Sequence, residues 1–86
     1  MVECLFARRF LRDLVEWEGS ASPGDVASLD QVLARIANNP DLPGRVPSFY
    51  DPRQPSYLYR AGDLLIHYRA TATDTVEFLN LFFRRP

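Results

Sequence analysis

Residues 57–70 read Tyr57-Leu58-Tyr59-Arg60-Ala61-Gly62-Asp63-Leu64-Leu65-Ile66-His67-Tyr68-Arg69-Ala70, and this stretch decides the fold. Two runs rich in β-favouring residues, Tyr57 to Ala61 and Leu64 to Ala70, flank Gly62-Asp63, which is hairpin-turn chemistry. Strand alternation then sends Leu64, Ile66, Tyr68 and Ala70 to one face and Leu65, His67 and Arg69 to the other. Downstream, Thr71-Ala72-Thr73-Asp74 supplies a turn and Thr75 to Phe83 a further strand. That strand carries apolar residues on both faces, so it is expected to be the most buried.

Upstream of the hairpin the period changes. Val2, Cys4 and Phe6 alternate with Glu3 and Leu5 as an opening strand, with Cys4 expected inward as a small core residue. Ala7, Phe10, Leu11, Leu14 and Trp17 then recur at helical spacing, with Arg8, Arg9, Arg12, Asp13 and Glu16 on the opposite side. Gly19-Ser20-Ala21 breaks this helix. Ser22-Pro23-Gly24-Asp25 starts a second one with an N-cap serine, a proline in the first turn and an acid at the third position. Val26, Leu29, Val32, Leu33, Ile36 and Ala37 form its stripe, and Asn38-Asn39-Pro40 stops it. Between Asn38 and Ser56 five prolines and Gly44 predict a loop, with at most a brief extended piece around Val46.

The expected order is β, α, α, β, β, β in a single domain spanning residues 1–86: an α+β fold with a helical hairpin on one face of a small, mostly antiparallel four-stranded sheet. Phe10, Leu14, Val26, Leu29, Leu33, Ile36, Ile66 and Phe78 are its expected core. The second sheet face, carrying Leu65, His67 and Arg69, is left open for a partner.

Composition narrows the function. Of the 86 residues 47% are hydrophobic and 24% charged, an ordinary globular balance that excludes disorder as the main state. No apolar run approaches the ~20 residues that cross a bilayer, and no basic-then-apolar leader opens the chain, so a cytoplasmic protein is expected. A single cysteine builds neither an internal disulfide nor a metal cage, and no cofactor is expected. The net charge of −1 excludes a general basic field for nucleic acid. It is uneven, however: up to Asp41 there are four arginines against seven acids, and beyond it six against four. An anion-binding surface is therefore expected in the C-terminal half. Every basic side chain is arginine, a planar fork suited to phosphate or carboxylate.

The element order and several segments resemble the RelE/ParE superfamily of bacterial toxins from type II toxin–antitoxin systems. The segment Phe6-Ala7-Arg8-Arg9-Phe10-Leu11-Arg12-Asp13-Leu14 looks like the family's strand-to-helix passage. Leu33 to Gly44 is similar to its second helix ending in an Asn-Pro turn, Tyr57 to Arg69 to its central hairpin, and Val76 to Arg85 to its last strand. The resemblance implies a toxin neutralised by a cognate antitoxin whose flexible segment wraps it. One branch of the family cleaves messenger RNA on the ribosome, by attack of a 2′-hydroxyl on the adjoining phosphate. It uses arginine or lysine charge for the phosphorane and a His, Glu or Tyr for proton transfer. The other branch inhibits DNA gyrase and needs no such set. This chain departs from the nuclease pattern at two places: Leu65 stands where the family hairpin commonly has arginine, and Phe83 where the last strand often has histidine. The resemblance therefore implies a non-nuclease or catalytically weakened member, with the ribosome-dependent endonuclease as the alternative and a non-toxic binding module on the same fold as a third reading.

His67 is the only imidazole and thus the one general acid/base near neutral pH. Arg69 shares its face and Arg60 lies across the turn, so the three form the candidate anion site, with Arg85 from the last strand as a fourth member; the competing reading is a solvated polar strip. Arg84 points to the side opposite Arg85 and is a candidate for partner binding. Arg45 and Arg53, in the proline-rich loop, are candidates for phosphate or an acidic partner. Tyr57 and Tyr59, with Phe49 and Tyr50, are candidates for stacking on bases or filling a protein interface.

Overall fold

The computed structural model describes residues 3–48, 53, 55–72 and 74–83. Its elements are β1 (Glu3–Phe6), α1 (Arg8–Glu18), α2 (Pro23–Asn38), β2 (Val46–Ser48), β3 (Ser56–Ala61), β4 (Leu64–Ala72) and β5 (Thr75–Phe83). The expected α+β arrangement is present, with a correction to the sheet: it has five strands, in the order β1-β5-β4-β3-β2. The added strand is β2, which pairs antiparallel to β3. Pro47 is tolerated there because β2 is an edge strand, where a missing N–H removes no ladder bond on the outer side. β1 runs parallel to β5, and the remaining pairs are antiparallel. Among the described residues no helix is long and apolar enough to cross a membrane.

Local chemistry explains both helix starts. At α2 the Ser22 hydroxyl accepts from the Asp25 amide at 3.1 Å while the Asp25 carboxylate accepts from the Ser22 amide at 3.3 Å, and Pro23 occupies the first turn. Helix α1 has no side-chain cap; the chain turns straight into it from β1, pinned by the Ala7 amide donating to the Phe78 carbonyl at 2.9 Å. Midway along α1, the Asp13 carboxylate accepts from the Leu81 amide of β5 at 3.1 Å. That bond satisfies a strand N–H beyond the last β1 residue paired with β5, Phe6.

The core lies between the helices and the sheet: Phe10, Leu29, Ile36, Leu42, Ile66, Tyr68, Val76, Phe78 and Leu81 are buried together. Phe10, Phe78 and Phe6 meet ring to ring, with centroids 5.4–5.6 Å apart. Full burial of a side chain such as Phe10 contributes roughly 1.5–3 kcal/mol. Of the expected core, Phe10, Leu29, Ile36, Ile66 and Phe78 are buried, while Leu14 and Leu33 pack half-buried against them and Val26 is half-buried outside the cluster. Cys4 is a second correction: it is exposed, because β1 is an edge strand whose four residues are all exposed.

One irregularity in the sheet positions the candidate site. Phe78 and Leu81 both lie in the helix-side core although they are three positions apart, which regular alternation forbids. The β4–β5 register shifts between His67, opposite Asn80, and Tyr68, opposite Phe78, leaving Leu79 as an inserted residue. This bulge turns Asn80 to the face away from the helices, beside His67.

Candidate functional site

Three adjacent strands each place one polar side chain on the sheet face opposite the helices: Ser56 from β3, His67 from β4 and Asn80 from β5. His67 Nδ1 lies 2.9 Å from Asn80 Oδ1, and Nε2 lies 2.8 Å from Ser56 Oγ. An amide oxygen only accepts, so Nδ1 carries a hydrogen toward Asn80, and Nε2 shares a hydrogen bond with the serine hydroxyl. All three residues are buried, His67 to 3% exposure. The competing reading of a solvated polar strip is therefore corrected at its centre, where His67 is buried. The imidazole joins three strands, and both of its nitrogens are engaged.

The order Ser–His–Asn with these distances is also that of a nucleophile, a base and an orienting group. Such a relay acts only where a substrate reaches the hydroxyl. Ser56 is 4% exposed, and its hydroxyl is already engaged with the imidazole.

Arg69 lies on the same face but is not available as a bare charge. Its guanidinium pairs with Glu77 of β5, 2.7 Å from Nε and 2.6 Å from Nη2 to the same carboxylate oxygen, with both side chains about three-quarters buried. Register 69 to 77 makes this a direct cross-strand pair. Arg60 is exposed on this face, opposite Leu65. Arg85 and Arg84 lie outside the described residues, as do Phe49 and Tyr50.

Arg45, Tyr57 and Tyr59 fall on the other face of the sheet. Tyr57 and Tyr59 alternate with Leu58, which is in register with His67, so both side with the helices. Arg45 donates to the carbonyls of Asp41 at 2.6 Å and Leu42 at 3.5 Å, stands 3.9 Å from the Asp41 carboxylate, and lies 5.0 Å above the Tyr57 ring. Beside it the Tyr68 hydroxyl donates to the Pro40 carbonyl at 2.6 Å. Burial pushes the Tyr68 phenol up to about 12; nearby Arg45 opposes the rise and Asp41 adds to it. These side chains clamp the segment after α2 onto the sheet. Gly44, at φ 94°, lets the chain turn under Tyr59, whose ring carbon is 3.6 Å from the place of a Cβ. The structure thus splits the sequence candidates between two faces of one sheet. Arg53 is exposed in the loop.

A groove of about 660 Å³, unannounced by any motif, lies between the α1–α2 turn and the β3–β4 turn. Trp17, Leu29, Val32, Leu64 and Phe83 supply its apolar wall, with Asp25 and Asp63 at the rim. Its residues come from five separate segments, a juxtaposition that no local spacing announces. The face opposite the helices carries a second apolar feature: Leu58, Leu65 and Leu79 are half-buried, and Val46 and Phe82 are 57% and 47% exposed. Among the described residues no group of His, Cys, Asp and Glu stands in metal-holding geometry. Comparison with known proteins finds no matching protein-family model and no curated protein with significant sequence similarity.

Proposed function

We propose that this chain is a toxin-like protein of the RelE/ParE type, neutralised by a cognate antitoxin, that works by binding protein rather than by cutting RNA. The observation that carries the non-nuclease part is the state of His67: both ring nitrogens are hydrogen-bonded inside the sheet at 3% exposure. A general acid/base needs one nitrogen directed at its substrate. Arg69, the nearest cation in the sequence, is held by Glu77. What supports the binding part is the face opposite the helices, where Val46 and Phe82 extend an apolar surface over an otherwise satisfied sheet. DNA gyrase is the target the resemblance implies for such a member.

The ribosome-dependent endonuclease stays as the second reading because Arg60 is exposed on the same sheet face as His67. Primer extension on translated messenger RNA after induction separates the two. The binding reading expects an uncut message, inhibited gyrase supercoiling and co-purification with the product of the neighbouring gene. Cleavage at ribosomal A-site positions would replace it with the nuclease reading, and a chain that co-purifies with nothing and leaves growth unchanged would remove the toxin–antitoxin assignment.

A further inference from the structure

Helix α1 carries its charges against its own dipole. Arg8, Arg9 and Arg12 occupy the N-terminal half and Asp13, Glu16 and Glu18 the C-terminal half, with no acid in the first turn and no base in the last. A helix favours the reverse placement, since its N-terminus is the positive end. At about 100° per residue, Arg8, Leu11, Val15 and Glu18 fall within an arc of about 80°, one outward stripe. All four are exposed, Val15 to 72% and Leu11 to 47%. Among the described residues neither Arg8 nor Glu18 has an ion-pair partner.

The stripe is complementary to itself. Turned about a two-fold axis through position 13, Leu11 meets Val15 of a second copy, and Arg8 meets Glu18 at both ends. We infer that α1 is a self-association surface, on which two copies of this chain pack their α1 helices antiparallel around Leu11 and Val15. The arrangement is isologous and closes at two copies. It also gives the misplaced charges a partner: in an antiparallel pair each arginine-rich end lies beside the acidic, dipole-negative end of the other helix. One helix face buries well under the roughly 800 Å² per partner of a standard stable interface, so the dimer is weak, with dissociation in the tens to hundreds of micromolar.

Charge reversal on the full chain tests this by sedimentation velocity across that concentration range. The unaltered protein is expected to shift from monomer to dimer as concentration rises. Arg8→Glu places like charges together at both ends of the interface, as does Glu18→Arg, and each is expected to weaken association about tenfold. The double variant Arg8→Glu/Glu18→Arg restores both pairs in reversed sense and is expected to recover dimerisation, whereas Val15→Glu removes it. These positions are exposed, and both reversals bring charge into line with the dipole, so helicity by circular dichroism is expected to hold. A chain that stays monomeric throughout overturns the proposal, and so does a dimer indifferent to either reversal. A double variant no better than the singles, or a surface filled only when an acidic helical partner is added, rejects a second copy as the occupant.

Discussion

Replacing His67 by alanine separates a structural imidazole from a chemical one. The substitution leaves Asn80 Oδ1 and the Ser56 hydroxyl in the sheet without their partner and opens a ring-sized void at a position 3% exposed. Each orphaned buried polar group costs about 1–3 kcal/mol, and the void adds to that, so the expected loss is about 3–5 kcal/mol. A chain of this size shifts its melting temperature by roughly 4–8 °C per kcal/mol, which makes the expected fall at least about 12 °C. Asn80→Ala alone is expected to cost less, about 1–3 kcal/mol, because it strands one imidazole N–H. The double variant is the sharper measurement. Once the ring is gone, removing Asn80 strands nothing further, so the two losses should fall short of additivity by about 1–2 kcal/mol. Thermal and urea melts of the four proteins give the cycle. A His67→Ala protein that melts within about 2 °C of the unaltered chain while losing messenger cleavage would refute the reasoning, since the ring would then be serving a substrate and not the sheet.

The Tyr68 phenol, raised from 10.0 to about 12, holds its proton more tightly folded than unfolded, so its contribution is complete below pH 10 and is lost as pH climbs toward 12. Stability on the order of 2–3 kcal/mol should disappear across that window, and Tyr68→Phe, itself costing about 1 kcal/mol through the lost bond to Pro40, should flatten the alkaline limb of a stability–pH curve. Arg69→Ala should leave Glu77 as an unpaired carboxylate 21% exposed, costing about 1–3 kcal/mol in a urea melt, and Glu77→Gln in the same background should recover part of it.

The elements that were legible in the sequence are those whose signal is local. Gly62-Asp63 marks its hairpin because a tight turn needs a positive φ, and Gly62 takes φ 61°. Ser22 and Asp25 announce α2 because both capping bonds close within three residues. Strand β2 carries no such mark: three residues, one of them proline, show no period, and their pairing is fixed by β3 across a loop. The bulge at Leu79 is equally silent. Strict alternation through Thr75 to Phe83 assigns Asn80 to the helix side, and only the simultaneous burial of Phe78 and Leu81 shows that it cannot lie there. Without the bulge His67 has no amide beside it, and so it reads as a lone surface imidazole.

Charge was misleading for a related reason. The C-terminal half carries the net positive count, yet two of its arginines are neutralised where they stand. Glu77 holds Arg69 from the next strand, and Arg45 turns back to Asp41, which belongs to the half counted as acidic. Among the described residues, the exposed arginines without an ion-pair partner are Arg8, Arg9, Arg12, Arg35 and Arg60, four of them from the acidic half. Three of these share the first turn and a half of α1, whose positive dipole end adds to them. Among the described residues a cluster of unpaired positive charge therefore lies at the start of α1, although the chain as a whole carries −1. At physiological ionic strength the screening length is about 8 Å, so an approaching surface senses that local cluster and not the average. The acidic end of a second α1 is one surface that matches it in both charge and length.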